Sequence, residues 1–162
     1  MGEAAPFRRD DGGFTVDLDP SVRELLRDLA GQMREVLTGA TALDDPAMAR
    51  LFPPAYPDDP MRNLEFEHVA ADDLQRDRVE RFEVLARTAG DRWLTEEDLL
   101  TWMRAINDGR LVLGVRLDVT EDTRERDFRD DDAASHAFAT YAFLSALLEA
   151  IVDALGDPTA TG

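Results

Sequence analysis

Two histidines and a surplus of carboxylates are the metal-ligating side chains of this sequence, which holds no cysteine. Glu65-Phe-Glu-His68 contains Glu-x-x-His, whose i,i+3 spacing sets both ligands on one helix face, as in carboxylate-bridged di-iron bundles. Such a centre needs a second copy of the motif and two further Glu from other helices. The other histidine, His136, has Ala133 at the matching position and Asp132 four residues back. Half of the ligand set is therefore missing. Glu65 and His68 define a metal-binding alternative, set against a plainer one: a surface histidine near a helix C-terminus, where positive charge is favourable.

Other chemistry is excluded more firmly. Without cysteine there is no disulfide, thiolate nucleophile or thiol redox switch. Asp127-Phe-Arg-Asp-Asp-Asp132 has the composition of a calcium loop but neither its spacing nor its central Gly. Ser135 and His136 are neighbours on one helix, so they point about 100° apart and cannot act as nucleophile and base. No glycine-rich phosphate loop and no Gly-x-Ser-x-Gly occurs, and nothing in the sequence calls for a cofactor.

The segment Asn107-Asp108-Gly-Arg110-Leu-Val-Leu-Gly-Val-Arg116 sets two Arg and an Asn–Asp pair inside a strongly apolar stretch. If it is helical, Arg110 faces inward with Leu113 and Leu117. A buried Arg requires a carboxylate from the helix opposite. The expectation is an internal ion pair that fixes register; the alternative is a carboxylate or phosphate ligand held by Arg110 and Arg116.

The elements that position these residues follow from patterning. Phe14-Thr-Val-Asp-Leu18 alternates behind Gly12-Gly13, predicting a hairpin with Phe7-Arg8-Arg9. Asp19-Pro20 starts a helix that ends at Gly39; Asp45-Pro46 starts a shorter one ending near Phe52; Asp59-Pro60 starts a third through Val69. Between the second and third lies the proline-rich connector Pro53 to Pro60, stiff and packed through Tyr56. Asp72 or Asp73 caps a fourth helix ending at Gly90, whose outer face pairs Asp72 with Arg76, Asp77 with Arg81 and Glu83 with Arg87. Thr95-Glu-Glu-Asp98 is a capping box for a helix through Trp102 and Ile106. Beyond Gly109 the reading splits: Leu111, Leu113, Val115, Leu117 and Val119 alternate like a strand, which Gly109 and the β-branched residues favour by local rules, while Ile106, Arg110, Leu113 and Leu117 would continue a helix. Asp132 caps the last helix, Ala133 to about Leu155. Its apolar stretch is interrupted by Glu149 and Asp153 and falls short of a membrane span. Ala142, Ala146, Ala150 and Ala154 form a small-residue stripe on it, so this helix is either central to the bundle or half of a homodimer seam.

With 162 residues and 44% hydrophobic content the chain suits one domain with a real core. Its net charge of −17, with Arg as the only basic residue besides histidine, disfavours direct DNA binding. The region Met1 to Asp17 has no apolar core of a signal peptide, giving an expectation of a cytoplasmic protein.

Leu51-Phe52-Pro-Pro-Ala-Tyr56-Pro-Asp58-Asp59-Pro60 with Glu65-Phe66, and Trp102 through Leu117, resemble the two signature blocks of the actinobacterial AosR-like family, named for actinomycete oxidative stress regulators and formerly a domain of unknown function. The resemblance spans nearly the whole chain. It implies a cytoplasmic regulator that answers oxidative stress and influences transcription of sulfur and cysteine metabolism genes through a protein partner such as a sigma factor. It also favours one continuous helix from Thr95 to near Val119. Redox sensing attributed to the family uses a cysteine pair, which this chain lacks. The combined expectation is a mainly-α single domain, 1–162, with a hairpin at 6–18 and a bundle of about five or six helices over 20–156. Its function is non-enzymatic regulation, and Phe52, Tyr56, Asp58, Asp59, Trp102, Asn107, Asp108, Arg110 and Arg116 are the signature positions.

Overall fold

Asp10-Asp-Gly12-Gly13 closes the first two strands into a tight hairpin because Gly12 takes a left-handed backbone, φ 77°. The side chain of Asp10 accepts from the Asp11 N–H at 2.7 Å. Strand β1 (Phe7–Asp10) pairs antiparallel with β2 (Gly13–Val16), Phe7 opposite Val16 and Asp10 opposite Gly13. A third strand, β3 (Trp93–Thr95), joins the other edge of β2 with Gly13 opposite Thr95. A Cβ at Gly13 would collide with the Leu94 carbonyl and the Trp93 ring, so glycine is required there as well as in the turn. At three residues β3 is too short to show alternation, and the sequence expectation missed it.

The computed structural model describes residues 4–39, 58–116 and 133–157. Among them four helices complete the fold: α1 (Pro20–Thr38), α2 (Pro60–Thr88), α3 (Glu96–Arg116) and α4 (Ala133–Gly156). The expected short helix from Asp45 to Phe52, the residue Tyr56, and the loop ending at Asp132 lie outside the described residues. The domain is mainly α, as expected, with a small sheet rather than an isolated hairpin.

Three local expectations are corrected. The expected boundary at Asp72–Asp73 is absent, and α2 runs unbroken from Pro60 to Thr88. No Gly or Pro stands there, and an interior Asp costs a helix well under ~1 kcal/mol, too little to break it. Asp19 precedes Pro20 as expected, but its backbone carbonyl, not its side chain, takes the first N–H groups, from Val22 and Arg23. Two of the expected i,i+4 pairs also give way to contacts between helices: Arg81 turns to Asp108 of α3, and Glu83 meets Arg34 of α1 at 3.5 Å, while the side chain of Asp72 lies outside the description.

Elsewhere the sequence rules hold. Asp59 accepts from Arg62 N–H at 3.1 Å, and Thr95 Oγ1 accepts from Asp98 N–H at 3.0 Å. The segment after Gly109 is helical. Gly109 serves packing there: a Cβ would stand 3.0 Å from Leu29 Cδ1, and one at Gly114 would stand 3.1 Å from the Tyr141 ring.

The core sits around α3, which touches all three other described helices as well as β2 and β3. Trp102, Leu99 and Ile106 are fully buried there, among Phe14, Leu26, Phe82, Leu85 and Leu144. The Phe7 ring meets Trp102 edge-on at 6.2 Å between centroids. The central helix is thus α3, not α4, correcting the reading of the last helix as central to the bundle. On α4 one face is buried, through Leu144, Leu147 and Ile151, while Val152 is 51% exposed on the other. Alanines raise apolar content all round a helix although exposing them costs little. By length and composition alone Ser135–Gly156 would reach across a membrane, which also corrects the sequence reading. Its inner face is committed to the core.

Two guanidiniums fasten the sheet. Arg23 of α1 donates to the carbonyls of Val16, Leu18, Ala89 and Asp91 at 2.7–3.2 Å, joining the end of β2 to the α2–β3 turn. Arg9 of β1 donates to the Leu155 and Asp157 carbonyls, each at 3.1 Å, and pairs with Glu96. It thereby caps the negative end of α4. Each uses several donors of one planar fork, a geometry an ammonium cannot supply.

Candidate functional site

The residues singled out on α3 separate into two sides of that helix. Asp108 and Arg110 are two positions apart, about 200° around the axis, so they cannot face the same neighbour. Asp108 is the buried one. Its Oδ2 accepts from Arg78 Nη1 at 3.0 Å and lies 3.5 Å from Arg81 Nη1, both from α2. Arg78 and Arg81 stand at i,i+3 and so share a face. Burial pushes the Asp108 carboxyl above its ordinary range, and the two guanidiniums pull part of that back.

Arg110 was expected to be the inward cation with a carboxylate across from it. It is half-buried instead, and its Nη2 donates to Asn107 Oδ1 at 2.9 Å on its own helix. The requirement for a paired buried charge was sound; the sign of the buried member was reversed. The Nε of Arg110 is buried without a hydrogen-bond partner among the described residues. Arg116 closes α3, and its side chain is outside the description, as is any joint anion site with Arg110.

Trp102, the other conspicuous signature residue, is held by chemistry as well as packing. Its Nε1 donates to Thr88 Oγ1 at 2.7 Å, and that hydroxyl donates to the Val84 carbonyl at 2.7 Å. Thr88 was not foreseen. The available signal was the indole itself, since a buried Trp N–H needs an acceptor, but its sequence partner has no motif.

The connector residues Asp58 and Asp59 are exposed, and Asp59 acts as the cap of α2. Glu65 is exposed on α2; His68 lies on the same helix with its side chain outside the description. His136 is exposed on α4. Among the described residues no three His, Asp or Glu side chains converge on a metal position. Of the alanine stripe, Ala142 and Ala146 are exposed, Ala150 is half-buried and Ala154 buried. A four-residue step advances about 40° around a helix of 3.6 residues per turn, so the stripe winds by about 120° from solvent into the core.

Two hollows accompany this arrangement. One, of about 290 Å³, lies between α1, α3 and α4, lined mainly by Leu25, Leu29, Met33, Gly109 and Val112. The other, of about 350 Å³, lies between α2 and α3 beside Arg81, with Asp77, Glu80, Glu97 and Arg104 around it. The hydroxyls that line them, Thr140 and Thr101, donate to the backbone carbonyls of His136 and Glu97, one turn back on their own helices. The chemistry available at Asp108 is electrostatic: a buried carboxylate bonded by two guanidiniums ties α2 to α3.

A family model described as Domain of unknown function (DUF2017) matches residues 4–155, and the chain belongs to that family. Among curated proteins it is similar to the oxidative stress regulator AosR of Mycobacterium bovis and of two strains of Mycobacterium tuberculosis. In each case 29% of residues are identical over 183 aligned positions, covering 89% of this chain and 83% of the relative. No solved structure matches the chain. The resemblance drawn from the two signature blocks thus agrees with the comparisons, and the relatives' name supports a regulatory role.

Proposed function

We propose that the protein is a non-enzymatic, cytoplasmic regulator that acts on transcription through a protein partner and carries no thiol switch of its own. The observation that carries this reading is how the second signature block is used. Trp102 and Asp108, the residues in it best suited to chemistry, bind Thr88, Arg78 and Arg81 inside the protein. They hold helices together rather than facing a substrate. The similarity to proteins named oxidative stress regulators supports the regulatory part. The charge of −17 supports a basic protein partner over bare DNA. With no cysteine, no thiol of this chain reads a redox signal, and on this reading the partner does the sensing.

A pull-down with purified sigma factors and RNA polymerase tests the reading, with capture of a defined component expected. Failure to capture any, together with tight, salt-resistant binding to promoter DNA, overturns it. Stoichiometric iron, manganese or zinc in the purified protein would instead favour the metal-binding alternative at Glu65 and His68.

A further inference from the structure

Helix α4 is fastened to the fold differently from the other three. It packs on α3 and β1, and among the described residues it makes no comparable contact with α1 or α2. A hollow of about 290 Å³ stands between its Ala137 and Thr140 and the side chains of Leu25 and Leu29 on α1. Of the core, α4 supplies Leu144, Leu147, Ile151 and Ala154, and the remainder comes from the chain between Phe7 and Val112.

The seam with α3 also carries a charge that α4 does not answer. Gly114 lies against Tyr141 of α4, and Arg110, four residues earlier, stands on that same side of α3. Its Nη2 donates to Asn107 Oδ1, its Nε is buried without a partner, and no carboxylate among the described residues pairs with it. The acids of α4, Glu149 and Asp153, are exposed. Docking α4 takes water from the Arg110 guanidinium and returns no hydrogen bond, which opposes docking. The seam between α2 and α3 has no such debt, because Asp108 is bonded there by two guanidiniums.

What holds α4 lies at its far end. Arg9 donates to the Leu155 and Asp157 carbonyls and pairs with Glu96, each at 3.1 Å, tying the last turn of α4 to β1 and to the start of α3. Two arginines therefore act on one helix in opposite directions. Arg9 favours the docked state and Arg110 the undocked one.

We propose that α4 is a releasable latch: it leaves α3 as a unit while α1, α2, α3 and the sheet stay folded, with Arg9 as the catch and Arg110 biasing it toward release. Release bares Ile106 on α3 and Leu144, Leu147 and Ile151 on α4, all buried when the helix is docked. The release stands on this geometry; its use as the switch of a regulator rests on the function proposed above.

Hydrogen exchange of the full chain tests the latch. Amides from Leu144 to Ala154 are expected to share one protection factor, about a hundredfold or more below that of Phe82 to Leu85 on α2. Methionine keeps an apolar stem and drops the charge, so the same substitution is made at both arginines. Arg9→Met should speed exchange across α4 about tenfold and Arg110→Met should slow it about tenfold, with α2 unchanged in both. Circular dichroism confirms that each variant is folded.

Protection of α4 equal to that of α2 overturns the latch. So does protection that fades gradually inward from Gly156, or a shift of the same sign in the two variants. The switch is read in the pull-down, where Arg9→Met should capture more of the transcription component than wild type and Arg110→Met less. Equal capture by all three overturns the switch and leaves the regulatory reading standing. Capture by none overturns the regulatory reading, while exchange still decides the latch.

Discussion

Helices α3 and α4 are built from similar material, long and apolar with small residues recurring along them, yet they are used in opposite ways. In α3 the small positions are occupied by neighbours: Leu29 lies against Gly109 and Tyr141 against Gly114. The one carboxylate at its centre, Asp108, is buried and bonded by two guanidiniums. In α4 the small positions Ala142 and Ala146 are open, and Glu149 and Asp153 stand in solvent. The difference teaches that small residues mark a place for close approach without saying whether the approaching partner belongs to the same chain.

That contrast predicts where substitutions hurt. The largest loss is expected for Trp102→Ala on α3, about 4 kcal/mol by urea denaturation, because a fully buried ring is removed and Thr88 loses its donor. Arg78→Ala should cost roughly 3 kcal/mol at neutral pH by leaving a buried carboxylate with the more distant Arg81 alone.

The pH dependence of that second loss has a definite sign. The Asp108 carboxyl is raised in the folded protein, so its stabilising contribution is fully present below the unfolded carboxylate pKa and is lost as pH rises through the folded one. Removing Arg78 raises the folded value further. The penalty of Arg78→Ala should therefore shrink as pH falls from neutral toward the carboxylate range, read as converging urea midpoints of variant and wild type. Midpoints that diverge on acidification would contradict the coupling of Arg78 to the Asp108 carboxylate.

Smaller effects complete the comparison. Gly109→Val should destabilise by about 2 kcal/mol, since Leu29 already lies where the new side chain would go. Val152→Ser on the open side of α4 should change thermal stability by no more than about 0.5 kcal/mol. A large loss at Val152 would mean that this face is packed in solution and would erase the contrast.

Much of this was legible in the residues. Asp-Pro pairs gave the starts of α1 and α2, Thr95-x-x-Asp98 gave the start of α3, and Gly12-Gly13 gave the hairpin. Those signals are local and survive without tertiary context. The continuity of α2 past Asp72 follows a local rule too, since no Gly or Pro stands there and an interior Asp is too weak a stop. The rest of what failed needed neighbours. The strand Trp93–Thr95 forms because β2 offers an edge and Gly13 leaves room for the Trp93 ring. At the candidate site, the need for a buried ion pair was readable near Asn107–Arg110. Which residue turned inward depended on helix phase, which apolar neighbours on every side of α3 do not fix.

The hydrogen bonds of Arg9 join positions 146 and 148 residues apart in the chain. The first strand therefore waits for the end of α4 to be made before its arginine finds its carbonyls. Contacts of such separation slow folding, and on the ribosome they postpone this closure until the end of α4 has emerged. A chain cut short before Leu155 would have no carbonyl to offer Arg9. That contact makes completion of α4 a condition for locking the hairpin.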